Sequence, residues 1–138
     1  MKDLWGMAVR GICEVDGEIL LLKIRSKSAH DAGKWEIPGG KVKKCEFFDD
    51  ALKREYLEET GLEINVDSLY NVIQYDYTAC KTNERVNSIQ LIMKVSAESK
   101  EVTVSDEHDE YQWFTKEKVK EMIDDELLTQ AAINAFSK

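Results

Sequence analysis

The run "KREYLEETGL", residues 53–62, places Glu55, Glu58 and Glu59 directly after Arg54. Carboxylates this close together either move protons or hold hard cations such as magnesium, which prefer oxygen ligands. Which they do depends on the direction they face. Read as a helix at about 100° per residue, the stretch from Phe47 to Thr60 gathers Phe48, Ala51, Leu52 and Tyr56 into one apolar stripe. Glu55 and Glu59 fall inside that stripe, Glu58 borders it, and Arg54 lies just beyond. Asp49, Asp50, Lys53 and Thr60 fall on the opposite side. Burying unpaired carboxylates is costly, one arginine does not neutralise three of them, and no histidine or lysine shares the stripe. A bound divalent cation resolves the conflict. An ordinary glutamate-rich surface helix, with Arg54 paired to Glu58 four residues on, accounts for the same residues, and the helical wheel leaves both readings open.

The chain just before this helix makes a sharp backbone event. "KWEIPGGKV", residues 34–42, contains the only proline of the sequence. Pro38 lacks the N–H that a strand needs, so it closes a Trp35–Ile37 strand. Gly39 and Gly40 let the backbone come close to the helix and expose a carbonyl to the same ion; a plain loop turn is the alternative.

These groups need a scaffold. "MAVRGICEV" and "EILLLKIR" read as strands joined by an Asp16-Gly17 hairpin turn. Residues 26–34 are small and polar and read as a loop. Asp49 and Asp50 suit the first turn of the helix, and Gly61 suits its end. Two β-prone runs, 69–80 and 86–97, are joined by "KTNER", and "EYQWFT" is a further short strand. The tail from Thr115 has helical spacing, as one helix or two. Strands on both sides of a central helix predict an α/β sandwich with a mixed sheet.

The bulk composition narrows the partners. At 138 residues one domain is expected. A formal net charge of −8 argues against a duplex nucleic-acid binder, which must neutralise phosphates with Lys and Arg. Cys13, Cys45 and Cys80 are widely spaced and odd in number, as expected of free thiols in a reducing cytoplasm. Neither His30 nor His108 stands at zinc spacing to them. Acidic residues interrupt the N-terminal apolar run, so neither a signal peptide nor a membrane span is expected.

Residues 40–62, "GKVKKCEFFDDALKREYLEETGL", fit the pattern G-x5-E-x7-R-E-U-x-E-E-x-G-U, with U a bulky apolar residue. The chain thereby resembles the Nudix hydrolases, and the "KWEIPGGKV" lead-in is similar to the MutT-like branch. Gly40, Glu46, Arg54, Glu55, Glu58, Glu59, Gly61 and Leu62 match. Tyr56 departs softly, since an aliphatic residue is usual there, and Cys45 stands where many members carry glycine. The resemblance implies a Nudix α/β/α sandwich over residues 1–138. It also implies hydrolysis of a nucleoside diphosphate linked to a further group, with Mg2+ or Mn2+ as cofactor. Glu55, Glu58 and Glu59 take the family's metal-ligand positions, together with the carbonyl of Gly39. Arg54 would orient Glu55, and Glu46 would brace the loop against the helix.

For the general base the resemblance leaves Glu55 and an acid from "SDEHDEYQWF". Glu107, six residues before Trp113, is the first choice and Glu110 the alternative; a solvated acidic loop is the plainer reading of the run. Arg25 resembles a phosphate or sugar contact, and Asp125, in the Asp124-Asp125 pair, a base-edge contact; both also read as surface residues. Trp35, Tyr75 and Tyr77 are candidates for stacking on a base. Tyr77 stands where members acting on ADP-ribose often carry proline. The expected reaction is therefore a nucleoside triphosphate to monophosphate and pyrophosphate, as in nucleotide-pool sanitation, by a monomer or homodimer. A sugar nucleotide, dinucleotide or RNA 5′ end, or a non-catalytic nucleotide sensor, are the alternatives.

Overall fold

The computed structural model describes residues 4–138; the first three residues of the expected 1–138 domain lie outside it. Strand β1 (Leu4–Val15) turns through Asp16 and Gly17 into antiparallel β2 (Glu18–Ile24). Both turn residues have positive φ, 53° and 79°, the conformation that a two-residue hairpin turn requires.

The sequence of β2, "EILLLKI", explains the layers. Side chains alternate across a strand. Leu20 and Leu22 enter a core that contains Ala51, Leu52 and Tyr56. Ile19 and Leu21 enter a second core with Val119, Met122 and Ala132. Because both faces of this strand are covered, it reads as an unbroken apolar run and not as an alternating one. Helix α1 (Phe48–Thr60) supplies the first layer. Helices α2 (Lys116–Asp124) and α3 (Gln130–Phe136) supply the other. The C-terminal tail is thus two helices, because Thr115 and Thr129 each start one by accepting a backbone N–H at 3.2 Å.

The sheet is organised around β1. Beside β2 it pairs in parallel with β7 (Arg85–Ala97) and antiparallel with the short β4 (Gly39–Lys41). Strand β5 (Ile64–Gln74) and the short β6 (Tyr77–Thr78) pair antiparallel with β7. Strands β3 (Trp35–Glu36) and β8 (His108–Thr115) flank β2. The mixed α/β sandwich is as expected. Several boundaries differ: β1 begins at Leu4 and not at Met7, β5 at Ile64 and not at Leu69, and β8 at His108 and not at Glu110; the 69–80 run divides into β5 and β6, and Gly39–Lys41 is a strand and not a bare turn. Among the described residues no helix is long and apolar enough to cross a membrane.

Helix α1 also corrects the wheel at its ends. Phe48 is 39% exposed, so the buried stripe begins at Ala51. Thr60 is buried, not solvated, because its hydroxyl donates to the Tyr56 carbonyl at 2.6 Å and accepts the Leu62 N–H at 3.1 Å. A hydroxyl with both roles filled can be buried cheaply. Gly61 ends the helix as expected, with φ 73° and its N–H on the Leu57 carbonyl.

Tyr56, the unusual residue of the signature, is accommodated by a glycine 45 residues away. Its hydroxyl donates to the Gly11 carbonyl. A Cβ at Gly11 would lie 2.9 Å from the Tyr56 ring and 3.0 Å from Val95. Gly11→Ala is expected to destabilise the fold by about 1–3 kcal/mol through overpacking. The cost should shrink when Tyr56→Leu is made as well. A double-mutant cycle by chemical denaturation measures the coupling; additive effects would deny the contact.

Candidate active site

The inner face of α1, the bend between β3 and β4, and the start of β8 converge on the carboxylates. Glu59 is 6% exposed, and its Oε1 accepts the Gly39 N–H at 2.9 Å. Burial, with repulsion from Glu36, pushes its carboxyl up to about 8. Glu55 is half-buried, and its Oε1 accepts Arg54 Nη1 at 2.9 Å. Burial raises its pKa; Arg54 opposes that, and Glu58 and Glu107 add repulsion. Arg54 serves several acids at once. Its Nε and Nη2 hold Glu46 at 2.8 and 3.1 Å, and its Nη2 also reaches the Lys41 carbonyl at 3.1 Å. Through Arg54 first, the Glu46 carboxyl is held down to about 2. Glu58 is exposed and only loosely tied to Arg54, at 3.4 Å.

The helical wheel is therefore correct for the two inward glutamates. The Arg54–Glu58 pair exists as well, but exposed pairs of this kind stabilise little and do not account for Glu55 and Glu59.

The bend is shaped by these side chains. Gly39 has φ 154°, and a Cβ there would lie 2.2 Å from the Val9 carbonyl oxygen. A Cβ at Gly40 would lie 2.4 Å from the Glu55 carboxyl carbon. At Gly39, the group seen facing Glu59 is the amide N–H.

Two groups of the site, one partly buried and one buried, went unread in the sequence. Glu36 lies in β3, and His108 opens β8 with its side chain fully buried. His108 Nε2 is 2.7 Å from Glu36 Oε2 and 3.8 Å from Glu59 Oε2. Arg10 Nη1 donates to Glu36 Oε1 at 3.2 Å and to the Ile37 carbonyl at 2.7 Å. Burial opposes the Glu36 charge, yet His108 and Arg10 outweigh it and hold the pKa below the ordinary value. The signal available was the histidine inside the acidic run and the lone acid inside an apolar strand. Neither names its partner, because Glu36 and His108 are 72 residues apart.

Glu36, Glu59 and His108 bring potential metal-ligand atoms within 4.8 Å of one another. The tautomer of His108 decides its role. Among the described residues, its buried Nδ1 has no hydrogen-bond partner. As a metal ligand through Nε2, His108 would carry its proton on Nδ1, a buried N–H with nothing to receive it; ligating imidazoles usually have a partner for that proton. With the proton on Nε2, His108 donates to Glu36 and only a lone pair is orphaned. The donors left to a cation are carboxylate and carbonyl oxygens. Such a set fits a hard ion such as Mg2+ or Mn2+, and Glu59, whose carboxyl burial pushes up to about 8, would give up its proton on binding such an ion.

The remaining predicted residues fall in two places. Glu107 lies in the exposed turn before β8; its carbonyl accepts the Arg25 N–H at 3.1 Å, and Arg25 Nη1 reaches the Asp106 carbonyl at 3.4 Å. Two residues far apart in sequence are thus neighbours, and Glu107 acts electrostatically on Glu55. Glu110 is instead paired with Lys23 at 3.2 Å. Asp125 is the exposed residue ending α2, and its N–H donates to the Glu121 carbonyl. It makes no hydrogen bond to the glutamates of α1 among the described residues. Trp35 packs edge-on against Phe114, as a core residue does. Tyr75 and Tyr77 line a cavity of about 230 Å³ that also touches Glu36 and Gly40.

Fold and site together define a Nudix hydrolase. The NUDIX domain family matches residues 5–132, and the chain belongs to that family, among its MutT-like members, as a pyrophosphohydrolase. It is 30% identical over 110 residues to nucleoside triphosphatase NudI of Klebsiella pneumoniae (strain 342), covering 76% of this chain and 78% of that one. It is also 30% identical over 107 residues to NudI of Escherichia coli (strain K12 / DH10B), covering 74% and 76%. Among solved structures it resembles the MutT protein of Methanosarcina mazei Go1, with a TM-score of 0.78, 28% identity, and 99% and 93% of the two chains covered. The MutT NUDIX hydrolase of Burkholderia pseudomallei gives a TM-score of 0.73 and 30% identity, with 95% of each chain covered.

Two outcomes follow from this geometry. Glu59 titrates near 8 in the folded chain, against an ordinary 4.5. Between those values the folded chain holds the extra proton, so the Glu59 contribution to metal-free stability falls as pH rises through that window and levels off above it. Added magnesium or manganese should accordingly raise Tm more at about pH 8.5 than at about pH 5.5, because the ion needs the deprotonated carboxylate. Glu59→Gln should remove most of that difference in a thermal-shift series. Second, Gly40→Ala should displace the Glu55 carboxylate and lower turnover at least about tenfold. Its cost in stability should be small, since a flexible side-chain end gives way. Parent-like turnover in the variant would contradict the close approach.

Proposed function

We propose that this chain is a metal-dependent pyrophosphohydrolase that converts a nucleoside triphosphate to its monophosphate and pyrophosphate. The observation that carries this reading is the burial of Glu59, beside half-buried Glu55, against the Gly39-Gly40 backbone, with Arg54 already committed to Glu46. The nucleoside triphosphatase relatives support the substrate class. Glu55, Glu58, Glu59 and the Gly39 carbonyl are the metal ligands in this reading. Bound there, Mg2+ or Mn2+ would neutralise phosphate oxygens and lower the pKa of a bound water.

The chain's own residues do the rest. Arg54 fixes the rotamer of Glu55 through its 2.9 Å hydrogen bond. Glu107, exposed and close enough to influence Glu55, is the base that takes a proton from the attacking water as a new P–O bond forms. One bridging P–O bond breaks, and pyrophosphate leaves with its electron pair. Arg25, beside Glu107, meets the phosphates, and Asp125 is an outer contact to the nucleoside. Residues 40–62 form the catalytic segment of a single domain over residues 1–138, acting on a small nucleotide in the cytoplasm as a monomer or homodimer. The net charge of −8 counts against duplex nucleic acid as a substrate.

The test is a nucleotide panel with magnesium and product identification. Monophosphate and pyrophosphate are expected as products, and a preference for ADP-ribose would overturn the substrate. Glu59→Gln should cost at least about 10²-fold in turnover with the fold retained. Glu107→Gln should cost about 10²-fold, the usual scale of a lost general base. Glu110→Gln should cost far less, its carboxylate being occupied by Lys23. A sensitive Glu110 beside a silent Glu107 would reassign the base.

A further inference from the structure

The cavity beside the carboxylates has a floor whose hydrogen-bonding direction is fixed by the protein. Gln90 lies on β7, is 5% exposed, and lines the cavity with Ser88, Tyr75, Tyr77 and Arg10. Arg10 Nε meets the Gln90 side-chain oxygen at 3.1 Å. An arginine N–H can only donate, so the amide atom facing it must be the oxygen. The Gln90 NH2 therefore points the other way. That nitrogen has no hydrogen-bond partner among the described residues and is not sealed from solvent; its outlet is the cavity that Gln90 lines.

The orientation is strongly held. Arg10 is anchored by the Ile37 carbonyl at 2.7 Å and by Glu36 at 3.2 Å, and Glu36 in turn by His108 at 2.7 Å. Flipping the amide would set its NH2 against the guanidinium and leave both donors unpaired, which is costly in a buried place. The cavity thus carries a fixed donor, with Tyr75 and Tyr77 of one segment in the same lining. It begins beside Gly40, whose Cβ would touch Glu55.

We propose that Gln90 is the specificity-determining residue of this enzyme and selects nucleobases that carry a carbonyl oxygen, not an amino group, on the edge entering the cavity. The inference rests on the nucleotide reading above. A donor at this position pairs with C=O at C4 of a pyrimidine or C6 of a purine. It opposes an exocyclic NH2 donor to donor, and a buried site built for one hydrogen bond rejects the analogue that cannot make it.

The experiment compares matched substrates that differ only at that group: dUTP with dCTP, and dITP with dATP. The parent enzyme should favour the carbonyl member of each pair at least about tenfold in kcat/KM. Gln90→Glu keeps the side-chain size and the contact to Arg10 but removes the donor, and it should erase or invert that ratio. Gln90→Met, which neither donates nor accepts strongly, should bring the ratio near unity while melting separates any fold defect. Calorimetric binding of dUMP and dCMP to parent and variants reads the same preference without turnover. If no triphosphate is cleaved but dUMP is still preferred in a Gln90-dependent way, the proposed reaction fails and the base selection stands. If triphosphates are cleaved with no carbonyl preference, or the Gln90→Glu ratio stays within about twofold of the parent, the selection is overturned and the reaction stands.

Discussion

Carboxylates around the inner face of α1, from the helix, the loop before it and β3, outnumber the cations that the protein brings to them. Arg54 holds Glu46 and Glu55, Arg10 holds Glu36, and Glu59 is left with a backbone N–H, burial and repulsion from Glu36. Local structure bends to this deficit. Gly39 and Gly40 lack side chains because Val9 and Glu55 occupy the space a Cβ would need. A helix designed for stability alone would carry apolar residues at positions 55 and 59. The acids there are an inconsistency between pattern and burial, and such inconsistencies belong to functional sites.

Strand β1 makes the arrangement possible. It pairs with β2, β4 and β7, so its position is over-determined. Successive residues of β1 then serve opposite layers. Arg10 faces Glu36 and Gln90, while the Gly11 carbonyl receives the Tyr56 hydroxyl beneath α1. The bend is fixed to the same strand, since the Gly11 N–H donates to the Pro38 carbonyl at 3.0 Å. A rigid central strand thus sets α1, the bend and the cavity floor against one another, as a site that must hold its groups within a fraction of an ångström demands.

Much of this was legible in the sequence because its cause is local. The direction of Glu55 and Glu59 follows from helical periodicity, the hairpin from Asp16-Gly17, and the close backbone approach from Gly39-Gly40. Long-range compensation was not legible. Tyr56 looks like a departure until Gly11 is seen to make room for it. Cys45 stands where glycine is common, and it has φ 66°, a conformation whose strain sequence alone does not reveal. Glu36 belongs to an ordinary strand pattern and His108 to an acidic run, and such a pair acquires meaning only when the fold brings its members together. The acidic run was read for its acids, and the histidine within it proved to be the buried member.

Engaging Glu36 matters as much as burying Glu59. A bare Glu36 beside Glu59 would offer a cation a competing carboxylate pair, away from Glu55. Arg10 and His108 instead engage the Glu36 oxygens, one partner on each. Glu36 then contributes a fixed negative charge, with one lone pair on each oxygen already engaged. That charge raises the cost of ionising Glu59 in the absence of metal, and it increases the attraction of the site for any cation that arrives, since like-sign repulsion and opposite-sign attraction come from one field. The same contacts lock Arg10, and through it the Gln90 amide. One partly buried charge therefore tensions the metal side of the site and aims the donor on the cavity side, so that disturbing Glu36 would be felt at both ends.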